Sequence, residues 1–181
     1  MSENTEITAK RRFYVEEAIL ILLLTLTLAG VWITDHSPVD GYGYWMIMVF
    51  IFALLAITIA WLQSRRHRII DFKKILREQS LHWFTSLLVA EGVFSLQKTE
   101  HLSQADAGLV IMMVLAQSTI LDGLRVGWRF SLVGIFLGVS AIIAENTRHF
   151  FWIGLIIAIL IVTVTIFVEV WQERKASREQ V

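Results

Sequence analysis

Hydrophobic residues in this chain fall into six long blocks separated by short polar segments. Runs such as residues 18–24 and 155–162 show no alternation of apolar and polar positions, so strands are not indicated. Each block has the roughly 17–25 residues that a helix needs to cross a hydrocarbon core about 30 Å thick. The blocks are residues 13–34, 43–62, 81–97, 105–121, 128–145 and 150–171. This pattern predicts an all-α, polytopic integral membrane bundle of about six transmembrane helices.

The composition agrees with a single transmembrane domain over residues 1–181. The chain is 56% hydrophobic and 18% charged, outside the range of soluble domains, which are about 45–50% apolar and about a quarter charged. It has no cysteine, which excludes disulfides and thiolate metal sites, and its zero net charge argues against nucleic acid as a partner. We expect the lipid bilayer as its surroundings and no cofactor. The two shortest blocks, 81–97 and 105–121, have an alternative as a re-entrant hairpin.

The basic residues predict the orientation. Fourteen of the sixteen Lys and Arg residues fall on one side of the predicted spans, which places both termini in the cytoplasm. All seven tryptophans fall at predicted span ends, where indole rings favour the headgroup level. Short loops and this charge bias favour a bacterial inner (cytoplasmic) membrane.

The longest connector, residues 63–80, is cytoplasmic and amphipathic. Its apolar residues alternate with charges at helical spacing, which is typical of a helix lying on the membrane surface. Its basic side chains are candidates for docking lipid or a partner protein: Arg65, Arg66, Arg68, Lys73, Lys74 and Arg77. The alternative is a helical lead-in to the third span whose charges are solvated.

Glu91 stands near the middle of the third predicted span. A charged side chain at the bilayer centre costs at least about 2.5 kcal/mol, so such acids face protein or water and often mark ion pathways. Glu91 is therefore a candidate proton carrier or cation ligand. The alternative is a structural role, with its carboxyl group hydrogen-bonded to Gln117 or Ser118 of the fourth span.

The fifth span carries a stripe of small residues on one helical face. Its members are Gly127, Ser131, Gly134, Gly138 and Ala141. Such stripes let a second helix approach closely, either a span of the same chain or one of a second copy in a homo-oligomer. We expect the fifth span to be central and the first to be peripheral.

Each predicted outer loop pairs a histidine with an acid. The residues are Asp35 and His36, Glu100 and His101, and Glu145 and His149. They could form a divalent-metal or pH-sensing site, but acids also collect outside passively once basic residues are inside. Two further features are interpreted as structural. Asp122 is expected to be a partner of Arg125 or Arg129, and residues 41–43 are expected to form a flexible hairpin.

Three functions are compatible with these features. The leading hypothesis is an ion-conducting or proton- or cation-coupled channel or transporter that acts as a homo-oligomer, with Glu91 as its gating or protonation residue. The second is a non-catalytic subunit or assembly factor of a larger membrane complex. The third is an enzyme acting on lipid at the outer face, which the absence of any catalytic motif disfavours.

Overall fold

The chain folds into six α-helices. In a computed structural model, residues 3–66, 72–146 and 151–178 are described, and they contain no strand. The helices are α1 (Glu3–His36), α2 (Pro38–Arg66), α3 (Phe72–Lys98), α4 (Gln104–Val126), α5 (Trp128–Asn146) and α6 (Phe151–Arg178). Four of them, α1, α2, α4 and α6, are long and apolar enough to cross a membrane, and α5 is a shorter apolar helix. The predicted all-α class is confirmed.

The first hairpin is tighter than the sequence suggests. A single residue, Ser37, separates α1 from α2, which begins at Pro38, and proline is favoured in the first turn of a helix. Residues 41–43 therefore lie in the first turns of α2, and the prediction of a flexible hairpin there is wrong. Position 41 requires glycine because of packing, since a Cβ atom here would collide with Thr34 of α1.

The predicted connector 63–80 is not a separate helix. Residues 63–66 end α2, and residues 72–80 form the first turns of α3, continuous with the predicted third span. This matches the alternative of a helical lead-in. Residues 67–71 lie outside the described part of the chain.

In the α4–α5 hairpin the two helix backbones approach each other very closely. Its turn is Gly127 alone, whose φ of 148° is a conformation that favours glycine. A Cβ atom at Gly134 would lie 2.6 Å from the backbone N of Ile120 and 2.8 Å from the backbone O of Ala116. The small-residue face of α5 thus packs directly on the backbone of α4 in the same chain.

Neighbouring helices alternate in direction. In α1 and α2, Gly30 lies beside Tyr44 and Thr34 beside Gly41, which is an antiparallel register. Glu17 of α1 meets Thr165 of α6, and Leu28 and Val31 of α1 lie beside Gly154 of α6, so these helices are antiparallel and both ends of the described chain lie at one end of the bundle. We call this the terminal end, and the opposite end the distal end.

Four helices form the centre of the bundle. α1, α2, α4 and α5 pack together, α3 flanks α2 and α4, and α6 flanks α1 and α5. In the membrane-crossing segments, 44% of α1 but only 17% of α6 is buried. The prediction that the first span is peripheral is therefore wrong, because α1 contacts α2, α5 and α6.

The two halves of the chain share the same pattern of contacting helix pairs. Exchanging α1, α2 and α3 for α4, α5 and α6 in order maps every extensively packed helix pair onto another packed pair. A single shift along the chain also relates buried positions in both central hairpins. It carries Leu23, Leu24, Thr27 and Val31 onto Ile111, Met112, Leu115 and Thr119, and Trp45, Met48, Val49, Phe52 and Ala53 onto Val133, Phe136, Leu137, Ser140 and Ala141.

The flanking helices obey the same relation with a different shift. Buried residues of α3 at Gln79, Trp83 and Ala90 recur at identical spacing in α6, as Gly154, Ala158 and Thr165. Since each half has three alternating helices, the second half runs in the opposite direction to the first. The pattern of helix contacts and these buried positions thus arrange the chain as two three-helix units of opposite direction, which we call the inverted halves.

The centre of the bundle is filled by large side chains. Trp45 and Phe52 are fully buried and Phe136 is 1% exposed. The Trp45 indole N–H donates to the Thr34 hydroxyl at 2.9 Å. Trp45 and Trp83 are both buried inside the protein.

The two glycines of the Gly134-x-x-x-Gly138 motif should respond differently to alanine. Gly134→Ala forces the α4 and α5 backbones apart, and overpacking of this kind costs about 1–3 kcal/mol of unfolding free energy. Gly138→Ala is the matched control, because its Cβ atom would lie 3.7 Å from that of Ala116, an ordinary contact, with the same gain in helix propensity. Denaturant unfolding in detergent measures both. Equal stability of the two variants would contradict the close approach at Gly134.

Candidate functional site

Two polar clusters lie at the terminal end, each between the inverted halves. The first joins α3 to α4 around Asp122, which is fully buried. The Trp83 indole N–H donates to Oδ2 of Asp122 at 3.3 Å, and the Gln79 side chain also hydrogen-bonds to this carboxyl group. Within the described part of the chain, Oδ1 of Asp122 and Oε1 of Gln79 accept no hydrogen bond. We call these three residues the Asp122 cluster.

Helical spacing assembles this cluster and extends it inward. Gln79, His82, Trp83 and Ser86 recur every three or four residues, so they share the face of α3 that meets α4. The His82 Nε2–H donates to the backbone carbonyl of Ser118 at 3.0 Å, and the Ser86 and Ser118 hydroxyls are 2.7 Å apart. A continuous polar contact therefore runs along α3 and α4 for about two turns.

The charges around Asp122 come from two helices. His82 of α3 and Arg125 of α4 act on it electrostatically. His82 is half-buried and Arg125 is exposed, so neither covers the carboxyl group fully. A buried carboxylate is stable only when hydrogen bonds or charges compensate its desolvation. One carboxyl oxygen and one amide oxygen, both buried and lacking donors, form an arrangement that a proton or a small cation completes.

The second cluster joins α1 to α5 and α6. The Nε of Arg129 lies 3.7 Å from Oε2 of Glu17, and the two side chains are only 11% and 8% exposed. The Thr165 hydroxyl donates to Oε1 of Glu17 at 3.2 Å and also lies 2.8 Å from the Val162 carbonyl. Glu17 belongs to the first half of the repeat and its partners to the second. This ion pair therefore also spans the two halves.

The symmetry is broken at both clusters. The residues that the repeat relates to the α3–α4 cluster are small or apolar, except for one threonine: Gly30, Thr34, Gly154 and Ala158. Those that it relates to Glu17, Thr165 and Arg129 are Ala105, Ala90 and Gly41. Among described residues, the buried ionisable groups between the halves thus lie at the terminal end, and small side chains replace them at the distal end.

The residues singled out for transport from the sequence do not come together. Glu91 is exposed, lies two turns before the end of α3 and is within electrostatic range of Tyr42 near the start of α2. It therefore lies in the distal half of its helix, six residues past the middle. Gln117 is exposed, and Ser118 pairs with Ser86, not with Glu91.

The histidines and acids of the predicted outer loops also stay apart. His36 lies with Nδ1 2.9 Å from the Trp32 carbonyl, and His101 with Nδ1 2.9 Å from the Thr99 hydroxyl. In residues 3–66, 72–146 and 151–178, no three metal-ligating side chains form a group. This includes Asp35 and Glu100, whereas His149 lies outside the described residues and Glu145 is described only as part of α5.

The remaining predicted residues fall into two sets. Lys73, Lys74 and Arg77 are exposed on the first turns of α3; Arg65 and Arg66 belong to the end of α2, and Arg68 lies outside the described residues. In the small-residue stripe, the Ser131 hydroxyl donates to the Ile120 carbonyl at 3.1 Å. Gly134 and Ala141 are buried, and Gly138 faces Ala116 of α4.

Sequence reasoning missed both polar clusters. It interpreted Asp122 as a partner of Arg125 or Arg129. Arg125 does act on Asp122 electrostatically, but Arg129 pairs with Glu17, and the hydrogen bonds of Asp122 come from Trp83 and Gln79. The spacing of Gln79, His82, Trp83 and Ser86 was a usable signal, hidden because the first of these residues fell in the predicted connector. No local signal links Glu17 to Arg129, which only the packing of α1 on α5 brings together.

The Glu17–Arg129 pair should stabilise the bundle only when both charges are present. Removing one partner leaves a buried charge, so Arg129→Gln and Glu17→Gln should each lower the unfolding free energy by about 3 kcal/mol. The double variant should recover part of that loss, and exposed Lys74→Gln should change little. Unfolding in detergent gives the coupling energy. Strictly additive losses would contradict a direct interaction.

Comparison of the chain with protein-family models, curated protein sequences and solved structures finds no match. The function is therefore argued from the geometry described above.

Proposed function

We propose that this protein is a small ion-coupled membrane transporter in which a proton or another cation drives motion of two inverted halves. The observation that carries the proposal is the inverted three-helix repeat with ionisable residues buried between its halves. In transporters of this symmetry, one repeat moves against the other and exposes a site alternately to the two sides. Buried ionisable groups at that boundary are where binding of an ion changes the packing energy most.

The filled interior supports a transporter over an open channel. Trp45, Phe52 and Phe136 occupy the space between the central helices and are almost inaccessible. A permanent aqueous route would need a gap there, whereas alternating exposure needs only that the halves repack. The terminal end, closed by both polar clusters, would then be the cytoplasmic side of a bacterial inner membrane, as the basic residues predict.

Glu91 has a place in this proposal at the opposite end. It lies on the outward face of α3 with Phe84 and Leu88, which are 61% and 62% exposed. An acid surrounded by exposed apolar side chains is costly against lipid, so a second copy of the chain is expected to cover this face. Glu91 would then take up the ion from the outer side at the junction between protomers.

Ion flux in proteoliposomes tests the proposal. Purified protein should dissipate an imposed proton gradient or monovalent-cation gradient, and Glu91→Gln should reduce the flux at least tenfold without altering the elution profile. Glu100→Gln is the matched control, since Glu100 is an exposed acid in the loop after α3. Absence of flux from the unmodified protein under either gradient would refute the transport proposal. Equal flux from Glu91→Gln would refute the role of that residue alone.

The exposed face of α3 also favours a second candidate, a non-catalytic subunit or assembly factor of a membrane complex. In that case, another protein and not a second copy would cover Glu91, Phe84 and Leu88. Purification from native membranes in mild detergent distinguishes the two. A stoichiometric partner that is lost in Leu88→Lys, together with no flux from the isolated chain, would favour the subunit.

A further inference from the structure

We infer that the Asp122 cluster is a proton-binding site whose occupancy sets the strength of the contact between α3 and α4. The inference deepens the proposed function, since it names the group that would couple a proton to motion of the two halves. It rests on the geometry of Gln79, Trp83 and Asp122, none of which was assigned a transport role from the sequence.

Two buried oxygen atoms of the cluster have no hydrogen-bond donor. Asp122 is fully buried and Gln79 is 3% exposed, yet Oδ1 of the acid and Oε1 of the amide accept no hydrogen bond from the described residues. Buried polar atoms of this kind are rare in folded proteins. A carboxylate only accepts, whereas a protonated carboxyl group also donates one hydrogen bond. Protonation of Asp122 at Oδ1 therefore turns an acceptor that has no donor into a donor.

The surroundings favour a proton over a metal ion. Asp122 is the only acid in the cluster, and no three metal-ligating side chains gather within the described residues. A divalent cation prefers six or more oxygen ligands, which one carboxyl and one amide group do not provide. The step is a proton transfer: a proton passes from water to Oδ1 of Asp122, and no covalent bond between heavy atoms changes.

The charged groups that face Asp122 determine how this proton is held. His82 projects from α3 and Arg125 from α4, and both act on the carboxylate electrostatically. On α5, Arg129 forms an ion pair with Glu17. The α2 side chains of residues 60–66 lie outside the described part of the structure. His82 is half-buried beside the cluster, and its Nε2–H donates to the Ser118 carbonyl at 3.0 Å.

Protonation of Asp122 would change the hydrogen bonding between the halves. The Trp83 N–H donates to a carboxylate when Asp122 is charged, and charge-assisted hydrogen bonds are about twice as strong as neutral ones. A neutral Asp122 weakens that bond and gains an O–H donor, so the proton changes how α3 of the first half is held to α4 of the second at the terminal end. The Ser86–Ser118 contact does not depend on this charge.

The test follows the carboxyl group and its indole partner in purified full-length protein. As pH is lowered, infrared difference spectra should gain a carboxylic C=O band that is lost in Asp122→Asn. Tryptophan fluorescence should change with the same midpoint, and this change should be absent in Trp83→Phe. Glu91→Gln is the matched control and should keep both signals, since Glu91 lies elsewhere on α3. Persistence of the band and of the fluorescence change in Asp122→Asn would overturn the inference.

Two further measurements close the remaining outcomes. If Asp122→Asn does not fold, the band of the unmodified protein should shift in Trp83→Phe, because the N–H donor is lost; an unshifted band overturns the inference. Replacing choline chloride by sodium chloride should leave the midpoint unchanged, and a sodium-dependent shift would replace the proton by a monovalent cation. Titration of Asp122 without any flux would refute the transporter and leave the proton site. Flux without titration of Asp122 would refute the proton site and leave the transporter.

Discussion

The close approach of α4 and α5 is the constraint on which the rest of the structure depends. Gly134 lies against the backbone of Ala116 and Ile120, and Gly127 closes the hairpin in one residue. In lipid, where apolar surfaces gain little from meeting each other, helices associate by such backbone proximity. The tight turn also fixes Asp122 and Arg129 at the same end of the bundle, one facing α3 and the other α1. Both polar clusters therefore depend on a contact that contains no charge.

The inverted repeat explains why those clusters are informative. Two halves with equivalent packing could have carried equivalent side chains, and most of their buried positions are indeed apolar in both. Among the described residues, buried charged groups lie at the terminal end, at Glu17, Asp122 and the 11%-exposed Arg129, while Gly41, Ala90 and Ala105 occupy related distal positions. Desolvating these groups costs several kcal/mol each, which packing alone does not require. A functional need at that boundary accounts for them better than stability does.

The fold class could be predicted from the sequence because hydrophobic block length measures membrane thickness directly. The small-residue stripe of α5 was likewise visible, since helical periodicity is local. Its partner, the central position of α1 and the inverted symmetry were not, because they depend on which helices pack. Glu91 attracted attention as an acid in an apolar run, yet its side chain is exposed. Asp122 and Glu17 stood near predicted span ends, where a charge is unremarkable, and only tertiary packing buries them.

Exposed Glu91 and the contact of buried Asp122 lie at different heights along α3, and this separation bears on mechanism. Asp122 touches α3 through Trp83 in its terminal half, whereas Glu91 lies eight residues farther along, about two turns, in its distal half. A rigid helix transmits a tilt at one end to the other. Among the described helices, α3 packs mainly on α2 and α4 and only flanks the centre, so it can shift without separating the central helices. A change in its bond to Asp122 would therefore reposition Glu91 without unpacking those four helices.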